Sequence, residues 1–315
     1  MPELPAKSKP SFGAGILFDT HAHVLSADRE AYPFSTLRGG MKVPVPAMIF
    51  PVEELVRQMD LQGVDKACLV QRATLYGYDN SYALDAAAQF PDRFTPVAVL
   101  DAQEASSQDE LRRLAGEHRL GGVRIVAPGL TRDDTSWLDG PEALACWATA
   151  QELGLPVAVI LYWSNNTYGR AALLRLAERF SVPMLLDHTA LPHPSSPEKR
   201  IWQDQGHDVS IPCGPDFGID EFLAGFDDFP HVHFKVTDIN FDRLEEAGLD
   251  AAQFVRAFAD RFGAERLVWG SDVGQSPAPY EEKVERLRYS GTLLSDEERA
   301  AFFGGNAQRI YARAR

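Results

Sequence analysis

Short apolar runs alternate along the chain with longer segments in which apolar residues recur at helical spacing. The opening run is Gly15-Ile16-Leu17-Phe18, and seven later runs have the pattern of buried parallel strands, at residues 66–71, 94–100, 122–126, 156–162, 184–186, 231–236 and 266–269. Helical patterns accompany them, at residues 52–60, 80–90, 107–117, 140–153, 169–180, 218–226 and 251–262. About eight strand-then-helix units predict an α/β fold, a (β/α)8 TIM barrel, in one domain over residues 15–315 after a loose arm over residues 1–14.

An open doubly wound sheet is the alternative arrangement of the same elements. It requires a glycine-rich phosphate loop after the first strand, and His21-Ala22-His23 stands there instead. Two segments rich in proline and glycine, residues 25–51 and 192–215, interrupt the alternation. We expect both to be long loops on the side of the barrel that carries the chemistry, where their conformation would set substrate specificity.

Composition and charge narrow the classes of function. The 315 residues carry a formal net charge of −14, with a pI near 5.0, and an acidic chain without clustered basic residues is not expected to bind nucleic acid. No apolar run is long enough to span a bilayer, and residues 1–10 lack the apolar core of a signal peptide. Cys68, Cys146 and Cys213 show no C-x-x-C spacing, which argues against a structural zinc site or a disulfide scaffold. We therefore expect a cytoplasmic protein that binds a small molecule, with no membrane partner; the sequence is compatible with a homo-oligomer.

A His-x-His pair ends the first strand. Residues two apart in a strand point to the same side, so the rings of His21 and His23 are predicted to converge, with Asp19 on that side as well. A polar strand end without a role is the simplest interpretation. Two imidazoles held together also suit a site that binds a metal or polarises a carbonyl group without one.

Ionisable residues recur where the later strands end, which is where barrel enzymes carry their chemistry. They are Arg72, Arg124, Tyr162, Asp187, His188, Lys235, Asp238 and Asp272. Structural roles compete with functional ones: Arg124 suits an ion pair as well as an anionic ligand, and Lys235 suits a salt bridge inside the barrel. Asp272 follows a buried strand and the small residues Gly270 and Ser271, which would let its carboxylate approach the histidines. This arrangement predicts a general base that activates water.

Taken together, these segments resemble the amidohydrolase superfamily, in particular the amidohydrolase-related group that includes sugar lactonases and 2-pyrone-4,6-dicarboxylate lactonase. The resemblance extends from near residue 15 to residue 311. Its motifs are Asp19-Thr20-His21-Ala22-His23, Gly121-Gly122-Val123-Arg124, Asp187-His188, Phe234-Lys235-Val236, Trp269-Gly270-Ser271-Asp272 and Gly304-Gly305-Asn306-Ala307.

The resemblance implies a distorted (β/α)8 barrel that hydrolyses an ester or amide, here a lactone carrying an anionic group. His21 and His23 would polarise the carbonyl or hold a divalent metal, with assistance from His188. Asp272 would take a proton from water and later deliver it to the leaving oxygen. Arg124 and Tyr162 match positions that contact an anionic substrate.

Two departures from the motifs bear on the substrate. Leu191 stands where the pyrone lactonase has a cation, and Val273-Gly274-Gln275 follows Asp272 in place of a proline- and histidine-containing segment. These changes argue against a dicarboxylate and leave a mono-anionic or aromatic-derived lactone. Arg72 and Tyr76 are then candidates, with Lys235, for a different substrate pocket.

The need for a cofactor is open at this stage. His21, His23 and Asp272 supply three ligands for one divalent ion, zinc or manganese, and a water would complete the site. Strands four and five offer Arg124 and Tyr162 rather than further ligands, which favours hydrolysis without a tightly bound metal. The alternative activity is metal-dependent non-oxidative decarboxylation of an aromatic or muconate-type acid. A non-catalytic binding barrel would predict an apolar residue at one of the four principal positions, and none is apolar.

Overall fold

Eight parallel strands follow one another around a single sheet in chain order, each paired with the next. The computed structural model describes residues 15–38, 49–127, 134–161, 166–190 and 216–312. The strands are β1 Phe18–Ala22, β2 Lys66–Val70, β3 Phe94–Leu100, β4 Gly122–Val126, β5 Val157–Ile160, β6 Met184–Leu186, β7 Val232–Thr237 and β8 Leu267–Gly270. The predicted (β/α)8 barrel is confirmed.

Helices separate the strands and cover the outside of the sheet. They are α1 Val52–Gln62, α2 Ala73–Tyr76, α3 Ser81–Gln89, α4 Ser107–Glu117, α5 Ser136–Asp139, α6 Pro141–Leu153, α7 Asn166–Arg179, α8 Ile219–Leu223, α9 Asp238–Glu246, α10 Ala251–Phe262, α11 Tyr280–Ser290, α12 Asp296–Ala300 and α13 Asn306–Ile310. Helices α4 and α10 have the predicted bounds. The pattern missed α11, because that helix is highly charged and buries Lys283 and Ser290 beside its apolar residues.

Hydrogen bonds between β1 and the segment after β8 close the barrel. The Asp272 backbone N–H donates to the His21 carbonyl over 2.7 Å, and the His23 N–H donates to the Val273 carbonyl over 2.9 Å. Side chains reinforce the seam: the Ser271 hydroxyl donates to the Asp19 carboxylate over 2.6 Å. The closing bonds therefore involve the same short segments that carry His21, His23 and Asp272.

Apolar residues pack against both faces of the sheet. The larger cluster lies between the strands and the helices, and the smaller one fills the barrel interior with residues that include Phe18, Cys68 and Leu185. Helix α13 contributes Ile310 to this inner cluster, and Asn306 holds the helix there by donating to two backbone carbonyls. Packing at this end leaves the opposite, carboxyl end of the strands for polar side chains.

Several predictions concern segments that the structure covers partly or not at all. The arm over residues 1–14 and the loop over residues 192–215 lie outside the described residues. In the segment over residues 25–51, Leu25 pairs with Phe50, and Ser35 pairs with Tyr76 of α2, whereas residues 39–48 are not described. Among the described residues, no helix combines the length and apolar character needed to cross a membrane.

The close approach of β1 and β8 makes a test of barrel closure. A Cβ atom on Gly270 would lie 2.4 Å from the His21 Cβ, whereas a Cβ on Gly116, in α4, meets nothing within 4 Å. We expect Gly270→Ala to lower the free energy of unfolding by about 1–3 kcal/mol through overpacking. Gly116→Ala should raise it by up to about 1 kcal/mol through helix propensity. Chemical denaturation measures both changes, and equal stability of the two variants would contradict a tight β1–β8 seam.

Acid stability provides a second test, centred on His233 of β7. This side chain is 7% exposed, its Nδ1 has no hydrogen-bond partner among the described residues, and burial lowers its pKa to about 3. A histidine of the unfolded chain has a pKa of about 6.5, so acid protonates the unfolded state first. The free energy of unfolding therefore falls as the pH falls from about 6.5 toward about 3. His233→Phe removes this contribution, so its stability relative to wild type should rise by roughly 2 kcal/mol between about pH 7 and pH 4.5.

Urea denaturation at the two pH values measures the difference. His233→Gln is the control, because it also cannot titrate in this range but keeps a polar side chain. Both variants should lose the histidine contribution to acid sensitivity, and a parallel loss of stability in wild type and both variants would contradict the prediction.

Candidate active site

Four side chains predicted from three strands, two of them from β1, meet at the carboxyl end of the barrel. The His21 Nε2 lies 3.5 Å and the His23 Nε2 3.4 Å from the same oxygen, Asp272 Oδ1. The rings of His21 and His188 have their centroids 5.5 Å apart. All four residues are at most 9% exposed, so they form one buried cluster under the strand ends.

An unusual backbone conformation presents His188 to this cluster. His188, Thr189 and Ala190 all have positive φ angles, of 53°, 60° and 55°, which non-glycine residues adopt rarely. The Asn240 amide holds the turn by donating to the His188 carbonyl over 3.0 Å. Backbone strain of this kind persists where surrounding contacts over-determine it, and it is concentrated at functional sites.

A hydrogen bond determines the tautomer of one histidine and holds the ring of another. The His23 Nδ1 lies 2.7 Å from the Val70 carbonyl, which can only accept, so Nδ1 carries the proton and the neutral ring has a bare Nε2, able to bind a proton or a cation. The His188 Nδ1 lies 2.7 Å from the Thr237 hydroxyl, which can accept or donate. When Nδ1 carries the His188 proton, the Thr237 hydroxyl accepts it and the His188 Nε2 is bare as well.

The His21 ring lies next to both an ammonium group and a carboxylate. Its Nδ1 lies 3.2 Å from the Lys235 ammonium and 3.6 Å from Asp187 Oδ1. With its proton on Nδ1, directed at Asp187, His21 has a bare Nε2 for a cation. With the proton on Nε2, it becomes a donor toward an oxygen of the substrate. Asp187 and Lys235 thus control which role His21 can take.

Asp187 is the site residue that the sequence did not assign. It is buried at the end of β6 and accepts from the Arg124 Nε over 2.7 Å, while the Lys235 Nζ lies 2.8 Å away. Both cations, which we had predicted to bind substrate, are engaged by Asp187, and their contact with a substrate stays a prediction. The available signal was an aspartate at the end of β6 in a barrel that carries an Arg on β4 and a Lys on β7.

Burial and charge determine the protonation of the cluster. Burial lowers the pKa of His188 to about 4 and also lowers the pKa values of His21 and His23, so all three rings are neutral at neutral pH. Burial alone would raise the pKa of Asp272. The imidazoles of His23, His188 and His21, which stabilise the carboxylate charge whenever they carry a proton toward it, outweigh burial and hold that pKa below its ordinary value. An ionised carboxylate therefore lies among neutral imidazoles.

Two buried polar atoms of the cluster have no hydrogen-bond partner within the described part of the chain: His21 Nε2 and Asp272 Oδ2. One ligand atom each from His21, His188 and Asp272 lies within 4.8 Å of the others, a grouping that suits one divalent ion. This set has His188 in the place predicted for His23, which remains beside Asp272 with its own bare Nε2. The residues present fit a metal, and the orphaned His21 Nε2 is an atom that it would engage.

The remaining predicted residues lie around the cluster. Arg72 donates from its Nε to the Gln275 amide oxygen over 2.9 Å and from its Nη1 to the Gly274 carbonyl. The hydroxyl of Tyr76 accepts from the Ser26 backbone N–H over 3.0 Å, which places this residue beneath the segment after β1. Tyr162 lies outside the described residues, so its predicted contact with substrate stays a prediction.

Comparison with known proteins places this geometry in context. L-Fucono-1,5-lactonase of Burkholderia ambifaria is 26% identical over 276 residues, which cover 83% of this chain and 85% of the relative. Among solved structures, a probable 2-pyrone-4,6-dicarboxylic acid hydrolase of Acinetobacter baumannii with bound citric acid has a TM-score of 0.69 and 21% identity, and the match covers 94% of this chain and 99% of that one.

Two other similar structures represent different chemistry. An amidohydrolase of Burkholderia multivorans with bound zinc has a TM-score of 0.64 and 19% identity, covering 94% of this chain and 99% of that one. The 5-carboxyvanillate decarboxylase of Sphingomonas paucimobilis has a TM-score of 0.61 and 17% identity, with the same coverage. At these identities the structural likeness shows the shared barrel alone.

The family itself is shown by a match to the whole barrel. The amidohydrolase family model matches residues 18–313, a span that includes β1 with its two histidines and the segment after β8 with Asp272. The resemblance inferred from the motifs is thereby confirmed. The chain belongs to the amidohydrolase family, and its lactonase relative supports a hydrolase.

Proposed function

We propose that the protein hydrolyses a small lactone, with Asp272 as the general base. The observation that carries the proposal is the asymmetry of the Asp272 carboxylate. Its Oδ1 faces His21 and His23 at 3.5 and 3.4 Å, while its Oδ2 is buried and unpartnered among the described residues. The Oδ1 atom thus lies against the imidazoles, and the Oδ2 atom is available to accept a proton.

In the proposed reaction, a water beside Oδ2 attacks the lactone carbonyl carbon and gives its proton to Asp272. The carbonyl oxygen becomes negative in the tetrahedral intermediate, and donors or a cation at the imidazoles stabilise that charge. When the intermediate collapses, the ring C–O bond breaks and Asp272 returns the proton to the leaving oxygen. The product is the open-chain hydroxy acid, and Asp272 is again ionised.

The residues that would hold a divalent ion are His21, His188 and Asp272, with His23 beside them. The bound ion would polarise the carbonyl group and lower the pKa of water. Within the chain, Thr237 fixes the His188 ring by a hydrogen bond at Nδ1, and the Val70 carbonyl fixes the His23 ring by accepting its Nδ1 proton. These second contacts keep both Nε2 lone pairs directed at the reaction centre.

Decarboxylation remains the alternative, since a decarboxylase shares the barrel. Loss of carbon dioxide does not require a general base that activates water. The unpartnered Oδ2 of Asp272 and the lactonase relative both favour hydrolysis. The two activities are separated by their products, a hydroxy acid in one case and carbon dioxide in the other.

Replacing the base tests the mechanism. Asp272→Asn should lower kcat by about 10²–10⁴-fold on a panel of sugar 1,5-lactones and pyrone-type lactones, because an amide cannot accept the proton of water. Acid release at constant pH measures turnover against the uncatalysed rate. Asp92→Asn, an exposed position before β3, is the control and should keep wild-type kcat. Unchanged turnover in Asp272→Asn, or release of carbon dioxide by wild type in place of lactone opening, would contradict the assignment.

Removal of metal tests the donor set. His23 Nε2 and Asp272 Oδ1 are both acceptors when the ring is neutral, and they face each other at 3.4 Å, which a cation between them would stabilise. We expect exhaustive chelation to abolish lactone opening and zinc or manganese to restore it. Full activity in metal-free protein, verified by elemental analysis, would show instead that the imidazoles act without a metal.

Thr237→Val should weaken metal affinity by about 10–100-fold, because it releases the His188 ring.

A further inference from the structure

Arg72 is a buried cation without a carboxylate partner in the described part of the chain. It lies two residues after the end of β2 and is 4% exposed. Its Nε donates to the Gln275 side chain and its Nη1 to the Gly274 carbonyl, and both acceptors are neutral. A guanidinium group has five N–H donors, and these two contacts use two of them.

Three other buried cations of the barrel are neutralised directly. Arg124 and Lys235 lie 2.7 and 2.8 Å from Asp187, and Lys283 lies 2.5 Å from Asp238. Burial of a charge is costly unless it is paired, so each of these ion pairs is what physical chemistry requires. Arg72 departs from this pattern at the one end of the barrel that carries the cluster.

Arg266 shows how an arginine without a carboxylate partner is satisfied when its role is structural. All three of its side-chain nitrogens donate to backbone carbonyls, and its guanidinium group lies over the rings of Phe234 and Phe262. In Arg72, by contrast, Nη2 has no acceptor among the described residues. The two arginines therefore differ in one nitrogen: every side-chain nitrogen of Arg266 has an acceptor, whereas Nη2 of Arg72 has none in the described part of the chain.

The position of Arg72 connects it to the reaction centre from two sides. The carbonyl of Val70, two residues earlier, holds the His23 ring, and the acceptors Gly274 and Gln275 follow Asp272 by two and three residues. A ligand group bound by the open donors of Arg72 would therefore lie beside the cluster that contains His23 and Asp272.

We propose that Arg72 binds an anionic substituent, a carboxylate, of the lactone substrate through Nη2 and its remaining Nη1 hydrogen. This inference rests on the proposed lactonase function, which it extends to a mono-anionic substrate class. It assigns anion recognition to the end of β2, since the Arg124 Nε is already engaged by Asp187 and Leu191 replaces the expected cation after β6. The bound carboxylate would give Arg72 a direct ion-pair partner, in addition to the charge of Asp272 nearby.

The test compares two substrates that differ by one charge. They are a 1,5-lactone carrying a ring carboxylate and the methyl ester of that carboxylate. Arg72→Met removes the charge and keeps the length of the side chain. It should lower kcat/KM for the acid by about 10–100-fold, mainly through KM, as expected for a charged hydrogen bond. The effect on the methyl ester should be less than about threefold, because that substrate never engaged the charge. Arg72→Lys should restore part of the preference for the acid.

Gln275→Leu is the matched control, because it removes an acceptor of Arg72 and leaves the cation in place. This variant should preserve the ratio of kcat/KM for the acid to kcat/KM for the methyl ester. If Arg72→Met lowers kcat/KM equally for both substrates, as Gln275→Leu also does, Arg72 only clamps the segment after β8 and the proposal is overturned. A wild-type preference for the ester would overturn it as well.

A binding measurement separates this inference from the lactonase proposal. Calorimetry with the corresponding lactam acid, which resists hydrolysis, and with its methyl ester requires no turnover. The acid should bind wild type more tightly than Arg72→Met by about 10–100-fold, with the ester binding both alike. If no lactone is hydrolysed but this pattern is seen, the lactonase proposal fails and the anion site stands. Equal affinity of the acid for wild type and Arg72→Met overturns the anion site.

Discussion

The closure of the barrel between β1 and the end of β8 is the constraint on which the site depends. Two backbone hydrogen bonds join the residues that carry the histidine pair to those that carry Asp272. Separation of the seam would move the carboxylate away from both rings. The absence of a side chain on Gly270, where a Cβ would meet His21, follows from this requirement. The hydrogen bond from the Ser271 hydroxyl to the Asp19 carboxylate also joins the two sides of the seam.

Charge in the barrel is arranged around two buried aspartates that take no direct part in the proposed chemistry. Asp187 neutralises Arg124 and Lys235, and Asp238 neutralises Lys283 while Arg286 adds a second contact from α11. Burying such groups adds little net stability, because desolvation offsets the attraction. What they contribute is position. Lys283 also donates to Ser276, whose backbone N–H bonds to the Asp272 carbonyl, so the second ion pair supports the segment that follows the general base.

Much of the fold and part of the site were predictable from local patterns. Apolar runs of strand length and helices with an apolar stripe predicted the eight units, and polar residues at strand ends identified His21, His23, His188 and Asp272 as neighbours. Asp187 was not assigned, because its role depends on which cations β4 and β7 bring to it, and pairing across a barrel leaves no local signal. The same reason explains why the sequence grouped Arg124, Lys235 and Arg72 together, although two are paired and one is not.

Strict alternation counted from Phe18, rather than from the histidine pair itself, would have turned His21 out of the barrel interior. Phe18 packs into the inner apolar cluster, and a regular strand would then turn Thr20 and Ala22 inward. The register of β1 against β2 shifts between Asp19 and Ala22, and this irregularity changes the phase so that His21 reaches Asp187 and Asp272. The hydroxyl of Thr20 is used instead to hold the Trp269 carbonyl of β8. The irregularity therefore serves both purposes: it turns an imidazole into the barrel mouth and leaves a side chain at the seam to keep β1 and β8 together.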